Sequence, residues 1–201
     1  MTTVEFYFDF TCPRSYLATV RLHEAALRTG ADIVWQPFDL KDLSLSKKPE
    51  KEARQANWKA ADLQAWAAYC GLQIQLPAAG TPATREALLG AVYAAARGKA
   101  FDYVKGVYAA LYGPTDRSSE LGSVASAAGL DGPAFVTALA DPEAARIVAA
   151  NGAELESRGG FRSATMFIGE QMFCGSSRMP LVEFALAQSS GRQFVMPGQH
   201  G

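Results

Sequence analysis

Hydrophobic and polar positions in the first forty residues predict a strand, a helix and a second strand. Residues 4–10 form a β-branched and aromatic run typical of a buried strand, and the run breaks at Cys12-Pro13. A helix follows and ends where Gly30 offers a left-handed cap. Residues 32–38 predict a second strand, which we expect to be parallel to the first. The apolar stripe of the intervening helix consists of Tyr16, Leu17, Val20, Ala25 and Leu27.

The middle of the chain is predicted to be helical. Residues 41–52 are polar and lysine-rich, so we expect a loop that either borders a cleft above Cys12 or is simply solvated surface. A helix runs from Ala53 to Gly71, and residues 72–77 form either a short strand or an extended link. Five further helices are expected at 84–97, 101–112, 118–128 (with Ser118 as its cap), 133–139 and 142–158.

The strand pattern returns after Gly159-Gly160. Residues 165–168 and 171–175 predict a β-hairpin, and residues 179–188 a last helix that packs Leu181, Phe184 and Leu186 on the sheet. The order β-α-β, helical block, β-β-α is the thioredoxin arrangement with an insertion. The predicted fold is therefore α/β and thioredoxin-like. Its domain would comprise residues 1–40 and 159–190, with 41–158 as an inserted all-helical subdomain and 191–201 as a flexible tail.

Composition limits the classes of partner. About half of the 201 residues are apolar, which is enough for one substantial core. A formal net charge of −1 provides no broad basic field, so nucleic acid is not expected as a partner. No apolar run approaches the roughly 18 residues of a membrane span. The N-terminus lacks the features of a signal peptide, which predicts a cytoplasmic protein.

Cysteine and histidine usage excludes two kinds of site. Cys12, Cys70 and Cys174 are odd in number and far apart, which fits a reducing compartment better than a disulfide framework. We expect Cys70 and Cys174 to lie in the core. The two histidines, His23 on the first helix and His200 in the tail, predict no metal site.

Cys12 lies where the first strand changes to a helix. Pro13 suits the first turn of a helix, so Cys12 is expected at or beside the N-cap. Free backbone N–H groups and the helix dipole favour a thiolate at that position, which predicts a reactive cysteine. The alternative is an inert cysteine that packs like a small hydrophobic residue.

Three motifs together resemble a known enzyme family. Residues 8–18 read Phe-Asp-Phe-Thr-Cys-Pro-Arg-Ser-Tyr-Leu-Ala, residues 62–67 Asp-Leu-Gln-Ala-Trp-Ala, and residues 175–179 Gly-Ser-Ser-Arg-Met. They resemble the 2-hydroxychromene-2-carboxylate isomerases and kappa-class glutathione transferases, which belong to the DsbA-like branch of the thioredoxin superfamily. The resemblance covers about residues 4–188. It implies glutathione as cofactor and a homodimer.

The resemblance also implies site residues. In the family a serine after the first strand steadies the glutathione thiolate, and here Cys12 takes its place, with Ser15 three residues further on. A cis-proline loop and an acidic turn hold the rest of the peptide; Ala164 stands where the proline belongs and Ser177 replaces the aspartate. The positions carried over as glutathione-contacting are Ser46, Ser163, Ala164, Thr165, Ser176 and Ser177.

The departures from the family pattern have physical consequences. A cis peptide bond before a non-proline residue costs about 2.5–4 kcal/mol, so the Ser163–Ala164 bond is expected to be trans. Ser177 lacks a charge whose contact would contribute about 1.5–3 kcal/mol, which predicts weaker glutathione binding. Cys12 can attack a disulfide or an electrophile, but the Cys-Pro-x-Ser motif has no resolving cysteine.

Three functions are compatible with these residues. The leading hypothesis is a glutathione-dependent isomerase or transferase that acts on a small aromatic or electrophilic compound, with Cys12 and Ser15 catalytic. Trp35, Phe38 and Trp58 would form the walls of the substrate site, although aromatic residues at such spacing are also typical of a core. The second hypothesis is a monothiol thiol-disulfide oxidoreductase, and the third is a non-catalytic binding protein on a degenerate scaffold.

Overall fold

The structure, a computed structural model, describes residues 2–44, 53–77, 84–114 and 120–191, with the backbone alone for 53–58. Its strands are β1 (Thr3–Phe8), β2 (Asp32–Pro37), β3 (Thr165–Ile168) and β4 (Gln171–Cys174). Its helices are α1 (Pro13–Thr29), α2 (Ala53–Tyr69), α3 (Arg85–Ala95), α4 (Ala100–Tyr112), α5 (Leu121–Ala127), α6 (Gly132–Ala138), α7 (Pro142–Ser157) and α8 (Met179–Ser189). The predicted elements are thus present, with boundaries shifted by a few residues. Ser118, the predicted cap of α5, lies outside the described residues.

The strands form one sheet in the order β2-β1-β3-β4. β1 and β2 are parallel, as the β-α-β pattern predicted, whereas β3 is antiparallel to both β1 and β4. The register places Phe6 between Trp35 and Met166. The arrangement of strands and helices therefore confirms the predicted fold class.

Alternation along β1 directs its side chains into two hydrophobic clusters. Phe6 and Phe8 join the main core, which includes residues of α1, α8 and the helical block α3–α7. Tyr7 joins a smaller cluster on the other face. Packing is continuous between the sheet and the helical block. The division of the chain into two domains and a tail stays a prediction.

The first helix begins and ends as its sequence predicted. Cys12 is the N-cap residue, with an extended backbone (φ −102°, ψ 103°), and Pro13 follows in the first turn. At the other end Gly30 takes the left-handed conformation (φ 71°) and its N–H donates to the Ala26 carbonyl at 2.8 Å. The rigid helix therefore fixes the backbone position of Cys12.

Some side-chain predictions were wrong. Leu181 and Phe184 are 51% and 42% exposed rather than buried, because α8 buries the face that carries Met179, Val182 and Leu186. Leu27 of α1 is likewise 70% exposed. Cys70 and Cys174 are half-buried rather than core residues.

The segment 72–77 is an extended link, one of the two alternatives. The Gln75 N–H donates to the Tyr112 carbonyl at 2.7 Å, which ties the link to α4. No helix among the described residues is both long and apolar enough to cross a bilayer.

Candidate active site

Cys12 lies at the end of β1, on the first turn of α1. Its N–H donates to the Asp9 carbonyl at 3.1 Å, and its carbonyl accepts from the Ser15 N–H at 3.0 Å. The residue is half-buried, and its sulfur lies 3.8 Å from the Ser163 carbonyl oxygen, to which the thiol donates. Cys12 therefore faces the loop that leads into β3 and remains open to solvent.

The Ser163–Ala164 peptide bond is cis, so the prediction of a trans bond was wrong. Contacts on both sides of the bond fix the loop. Ser163 Oγ accepts from the Asp9 N–H at 2.8 Å, and the Ala164 carbonyl accepts from the Gly175 N–H at 2.7 Å. Ala164 itself is fully buried. Tertiary contacts at this loop thus outweigh the local preference on which the prediction rested.

Ser15 is fully buried and does not face the solvent-exposed side of Cys12. Its hydroxyl lies 2.6 Å from that of Ser163 and also contacts the hydroxyl of Tyr108. The Tyr108 hydroxyl in turn donates to the Asp9 carbonyl at 3.0 Å. Ser15 therefore joins α1 to the β3 loop and to α4, which is the contact of a positioning residue.

Asp9 is a fully buried carboxylate three residues before Cys12. One oxygen accepts from the N–H of Thr11 at 2.5 Å and from the Thr11 hydroxyl, and the other accepts from the Leu40 N–H at 2.6 Å. Burial raises the pKa of this carboxyl, while the hydrogen bonds from Thr11 and Leu40 oppose that shift. Both oxygens of Asp9 are therefore bound by donors of the protein.

The helical block contributes two tyrosines that bind the backbone just before Cys12. The hydroxyl of Tyr108 reaches the Asp9 carbonyl, and that of Tyr112 donates to the Phe10 carbonyl at 2.8 Å. Both rings are completely buried, and Tyr16 of α1 stacks on Tyr108 at 5.4 Å. Burial raises the pKa of Tyr108 well above its ordinary value, and the charges of Cys12 and Asp9 add to this effect. Tyr108 is thus kept as a neutral hydrogen-bond donor.

The turn before α8 closes the site next to the Ser163–Ala164 loop. Ser176 is buried, and its hydroxyl has no hydrogen-bond partner among the described residues. Ser177 is exposed, as expected for a residue that contacts a ligand. Because α8 begins at Met179, its free N–H groups and positive dipole end lie beside this turn. The turn therefore offers one unpaired donor and a field that attracts an anion.

The remaining predicted site residues fall into two groups. Thr165 is buried, and its hydroxyl donates to the Arg162 carbonyl at 2.7 Å, so it supports the loop from within. Ser46 and the side chain of Trp58 lie outside the described residues. The backbone of α2 does lie alongside α1, because Arg14 pairs with Asp62 at 2.6 Å.

Two of the predicted substrate walls lie elsewhere. Phe38 is fully buried in the second hydrophobic cluster and does not line a cleft. Trp35 packs edge-on against Phe6 and Phe8 and borders a cavity of about 450 Å³. That cavity also contains Gly30 and so lies at the C-terminal end of α1, the end opposite to Cys12. The core alternative was the right one for Phe38.

Sequence reasoning missed Asp9 and Tyr108 as parts of the site. The signal for Asp9 is a carboxyl group directly after a strand of aromatic residues, because a carboxyl group at such a position requires buried donors. Tyr108 and Tyr112 lie four residues apart and fit a core stripe equally well. Only their hydroxyl contacts distinguish them from ordinary core tyrosines.

Comparisons with known proteins agree with this geometry. The profile of the DSBA-like thioredoxin domain matches residues 3–187. A 2-hydroxychromene-2-carboxylate isomerase of Sphingobium xenophagum is 30% identical over 190 residues, which are 90% of this chain and 96% of that protein. A protein of the same name from Pseudomonas putida is 29% identical over 193 residues, 92% of this chain and 94% of the relative.

Solved structures extend the likeness to the fold. A 2-hydroxychromene-2-carboxylate isomerase structure matches with a TM-score of 0.80 at 29% identity, and the match covers 93% of this chain and 95% of that one. The similarity therefore spans the sheet, the helical block and the last helix together.

Proposed function

Since this chain belongs to the DSBA-like thioredoxin domain family, we propose that it is a glutathione-dependent isomerase that acts on a small aromatic or electrophilic compound. The relatives named 2-hydroxychromene-2-carboxylate isomerase support isomerase chemistry. The observation that carries the glutathione part is the buried hydroxyl of Ser176 in the turn before α8, which has no hydrogen-bond partner among the described residues. A buried hydroxyl without a partner is costly, and a ligand carboxylate would satisfy it.

The donors around Cys12 fit the parts of glutathione. Ser176 and the N-terminus of α8 would hold a carboxylate end, and Ser177 would offer a neutral hydroxyl where the family has an acidic residue. The loop at Ser163–Ala164 would lie along the peptide. Cys12, 3.8 Å from the Ser163 carbonyl, would lie next to the ligand's sulfur. When bound, glutathione supplies a thiolate that can add to a conjugated double bond and leave again.

The protein's own part in that reaction is to stabilise negative charge and to orient the reactants. Cys12 stands at the N-cap of α1, whose dipole favours negative charge on a sulfur at that position. The Cys12 thiol can donate to a neighbouring thiolate, as the family serine does.

The isomerase assay uses 2-hydroxychromene-2-carboxylate with and without glutathione, followed by absorbance. We expect turnover that depends on glutathione, is retained in Cys12→Ser and falls at least about tenfold in Cys12→Ala. Cys70→Ser is the matched control and should match the parent protein. A transferase would give a product that keeps the glutathionyl group, which mass spectrometry of the product detects. No glutathione-dependent conversion of this compound or of other aromatic electrophiles would refute the proposal.

Glutathione binding is tested separately by titration calorimetry. Hydrogen bonds to charged groups contribute about 1.5–3 kcal/mol, so Ser176→Ala should raise the dissociation constant by about tenfold or more. Ser157→Ala, a serine at the exposed end of α7, is the control. Equal affinities in all three proteins would exclude the α8 turn as the carboxylate site.

A monothiol thiol-disulfide oxidoreductase is the second candidate, and it is favoured by Cys12 itself. The Cys12 thiolate would attack a glutathione mixed disulfide, form a Cys12–glutathione disulfide and release the other thiol. A second glutathione thiolate would then regenerate Cys12 and leave as oxidised glutathione. Ser15, at the position of a resolving cysteine, is buried and carries no thiol.

One variant separates the two candidates. Cys12→Ser restores the residue of the family pattern, so it should keep isomerase activity but abolish reduction of a glutathione mixed disulfide. Loss of both activities in Cys12→Ser would show that the thiol itself is required for each. Oxidised glutathione should also add one glutathionyl mass to the parent protein but not to the variant.

A further inference from the structure

The feature without an assigned role is the Asp9 carboxylate. It is completely buried, and its two oxygens bind two different segments: Oδ1 accepts from Thr11, the residue before Cys12, and Oδ2 accepts from Leu40, just after β2. The side chain therefore ties the loop that carries Cys12 to the segment that leaves the edge strand of the sheet.

The backbone of the same residue makes three further contacts. The Asp9 carbonyl accepts from the Cys12 N–H at 3.1 Å and from the Tyr108 hydroxyl at 3.0 Å, and the Asp9 N–H donates to Ser163 Oγ at 2.8 Å. Asp9 thus contacts the start of α1, the exit of β2, the helical block and the loop before β3. The loop before β3 also contacts the Cys12 sulfur, through the Ser163 carbonyl at 3.8 Å.

Stability does not explain the charge. Burial raises the pKa of Asp9, and the negative charge of Asp39 contributes in the same direction. A carboxyl whose pKa is raised by folding stabilises the folded state below its unfolded pKa, and this contribution is lost as the pH rises through the folded pKa. The ionised form therefore weakens rather than strengthens folding, which favours a role at the site.

We propose that Asp9 is a positioning residue that holds the Cys12 sulfur at the N-terminus of α1 by clamping Thr11 to Leu40. Three donors, the Thr11 N–H and hydroxyl and the Leu40 N–H, bind the two oxygens of Asp9, so the clamp needs both oxygens as acceptors. This inference rests on the proposed function only in taking Cys12 as the reacting group.

Two substitutions dissect the clamp. Asp9→Asn keeps one acceptor for Thr11 but turns an amide NH₂ toward the Leu40 N–H, so it breaks one link. Asp9→Ala breaks both. Asp39→Asn is the matched control, because it removes a carboxylate next to Leu40 whose hydrogen bond among the described residues is to the exposed Lys41 N–H, at 3.0 Å.

The readout is the pH profile of Cys12 alkylation by iodoacetamide in the intact protein, with the modified cysteine located by peptide mass spectrometry. If Asp9 positions the sulfur, its loss takes the thiolate away from the helix terminus, and the midpoint moves to higher pH by roughly half a unit or more in Asp9→Ala and by less in Asp9→Asn. If Asp9 acted by its charge alone, both variants would move the midpoint to lower pH. Asp39→Asn should leave it unchanged.

Thermal unfolding of the same proteins completes the test. A purely structural role would lower the unfolding temperature of the Asp9 variants without moving the alkylation midpoint, and this result, like a shift to lower pH, would overturn the proposal. The alkylation assay contains no isomerase substrate. A protein that lacks isomerase activity but shows the upward shift would therefore refute the proposed function and still support the clamp.

Discussion

Removing the Ser163 hydroxyl tests whether the polar contacts beneath Cys12 hold the site together. Ser163 is 5% exposed, and its oxygen accepts from the Asp9 N–H at 2.8 Å and lies 2.6 Å from Ser15 Oγ. Ser163→Ala would leave the Asp9 N–H buried without an acceptor. Ser15 would lose one partner but keep its contact with Tyr108.

The magnitude follows from these two contacts. A buried donor left unpaired costs about 1–3 kcal/mol, and the loss of the neutral bond between the two serines costs about 0.5–1.5 kcal/mol. Together they predict a loss of about 1.5–4.5 kcal/mol in the free energy of unfolding. For a chain of this length the unfolding temperature should fall by about 3–18 °C.

The assay is urea unfolding followed by circular dichroism, with Ser176→Ala as the matched control. Ser176 is equally buried, but its hydroxyl has no partner, so its removal should leave stability unchanged or raise it slightly. The reasoning is refuted if Ser163→Ala loses less than about 0.5 kcal/mol, or if the two variants lose the same amount.

Three further predictions concern the scaffold. Gly90→Ala in α3 should destabilise the protein by more than about 2 kcal/mol, because the new Cβ would lie 2.7 Å from the ring of Phe135. The control Gly122→Ala in α5 places a Cβ with nothing within 4 Å and should stabilise the protein by about 0.5–1 kcal/mol. Equal urea midpoints for the two variants would contradict this prediction. Arg158→Met should lower the free energy of unfolding by about 1–2 kcal/mol in urea at low salt, because Arg158 pairs with Glu5 at 2.7 Å and lies over the ring of Phe167. An unchanged urea midpoint would show that these contacts do not stabilise the fold. Burial raises the pKa of Tyr7 from 10.0 to about 12, so the stability that the neutral phenol contributes is lost as the pH rises through that range. Between about pH 9 and 11.5 the urea midpoint of Tyr7→Phe should therefore fall by less than that of the parent protein. An identical fall in the two proteins would exclude this role of Tyr7.

Most of the fold could be predicted from local sequence signals. Pro13 and Gly30 mark the two ends of α1 by their backbone preferences alone, and the structure confirms both positions. The parallel pairing of the first two strands follows from the helix between them. These signals work because each depends on a few neighbouring residues.

The sequence-based predictions were wrong where residues distant in the sequence determine the local structure. The conformation of the Ser163–Ala164 bond depends on contacts with Asp9 and Gly175, which the local sequence does not contain. An aromatic residue such as Phe38 could line a ligand site, but Phe38 is buried in one cluster with Leu155 and is therefore not accessible to a ligand. The apolar residues of α8 likewise do not show from the sequence which side of the helix packs against α1. Leu181 lies on the other side and is exposed.

The helical block is part of the site rather than a cover for it. At the end of β1 the chain leaves the strand ladder before α1 begins, so the carbonyls of Asp9 and Phe10 need donors from outside the ladder. The Cys12 N–H supplies one donor to the Asp9 carbonyl, and α4 supplies one donor to each carbonyl through the hydroxyls of Tyr108 and Tyr112. The backbone that presents Cys12 is therefore completed by side chains about a hundred residues away in the sequence. Without α4 both carbonyls would lose these hydroxyl donors, so we expect the position of the Cys12 backbone to depend on the helical block as well as on the sheet.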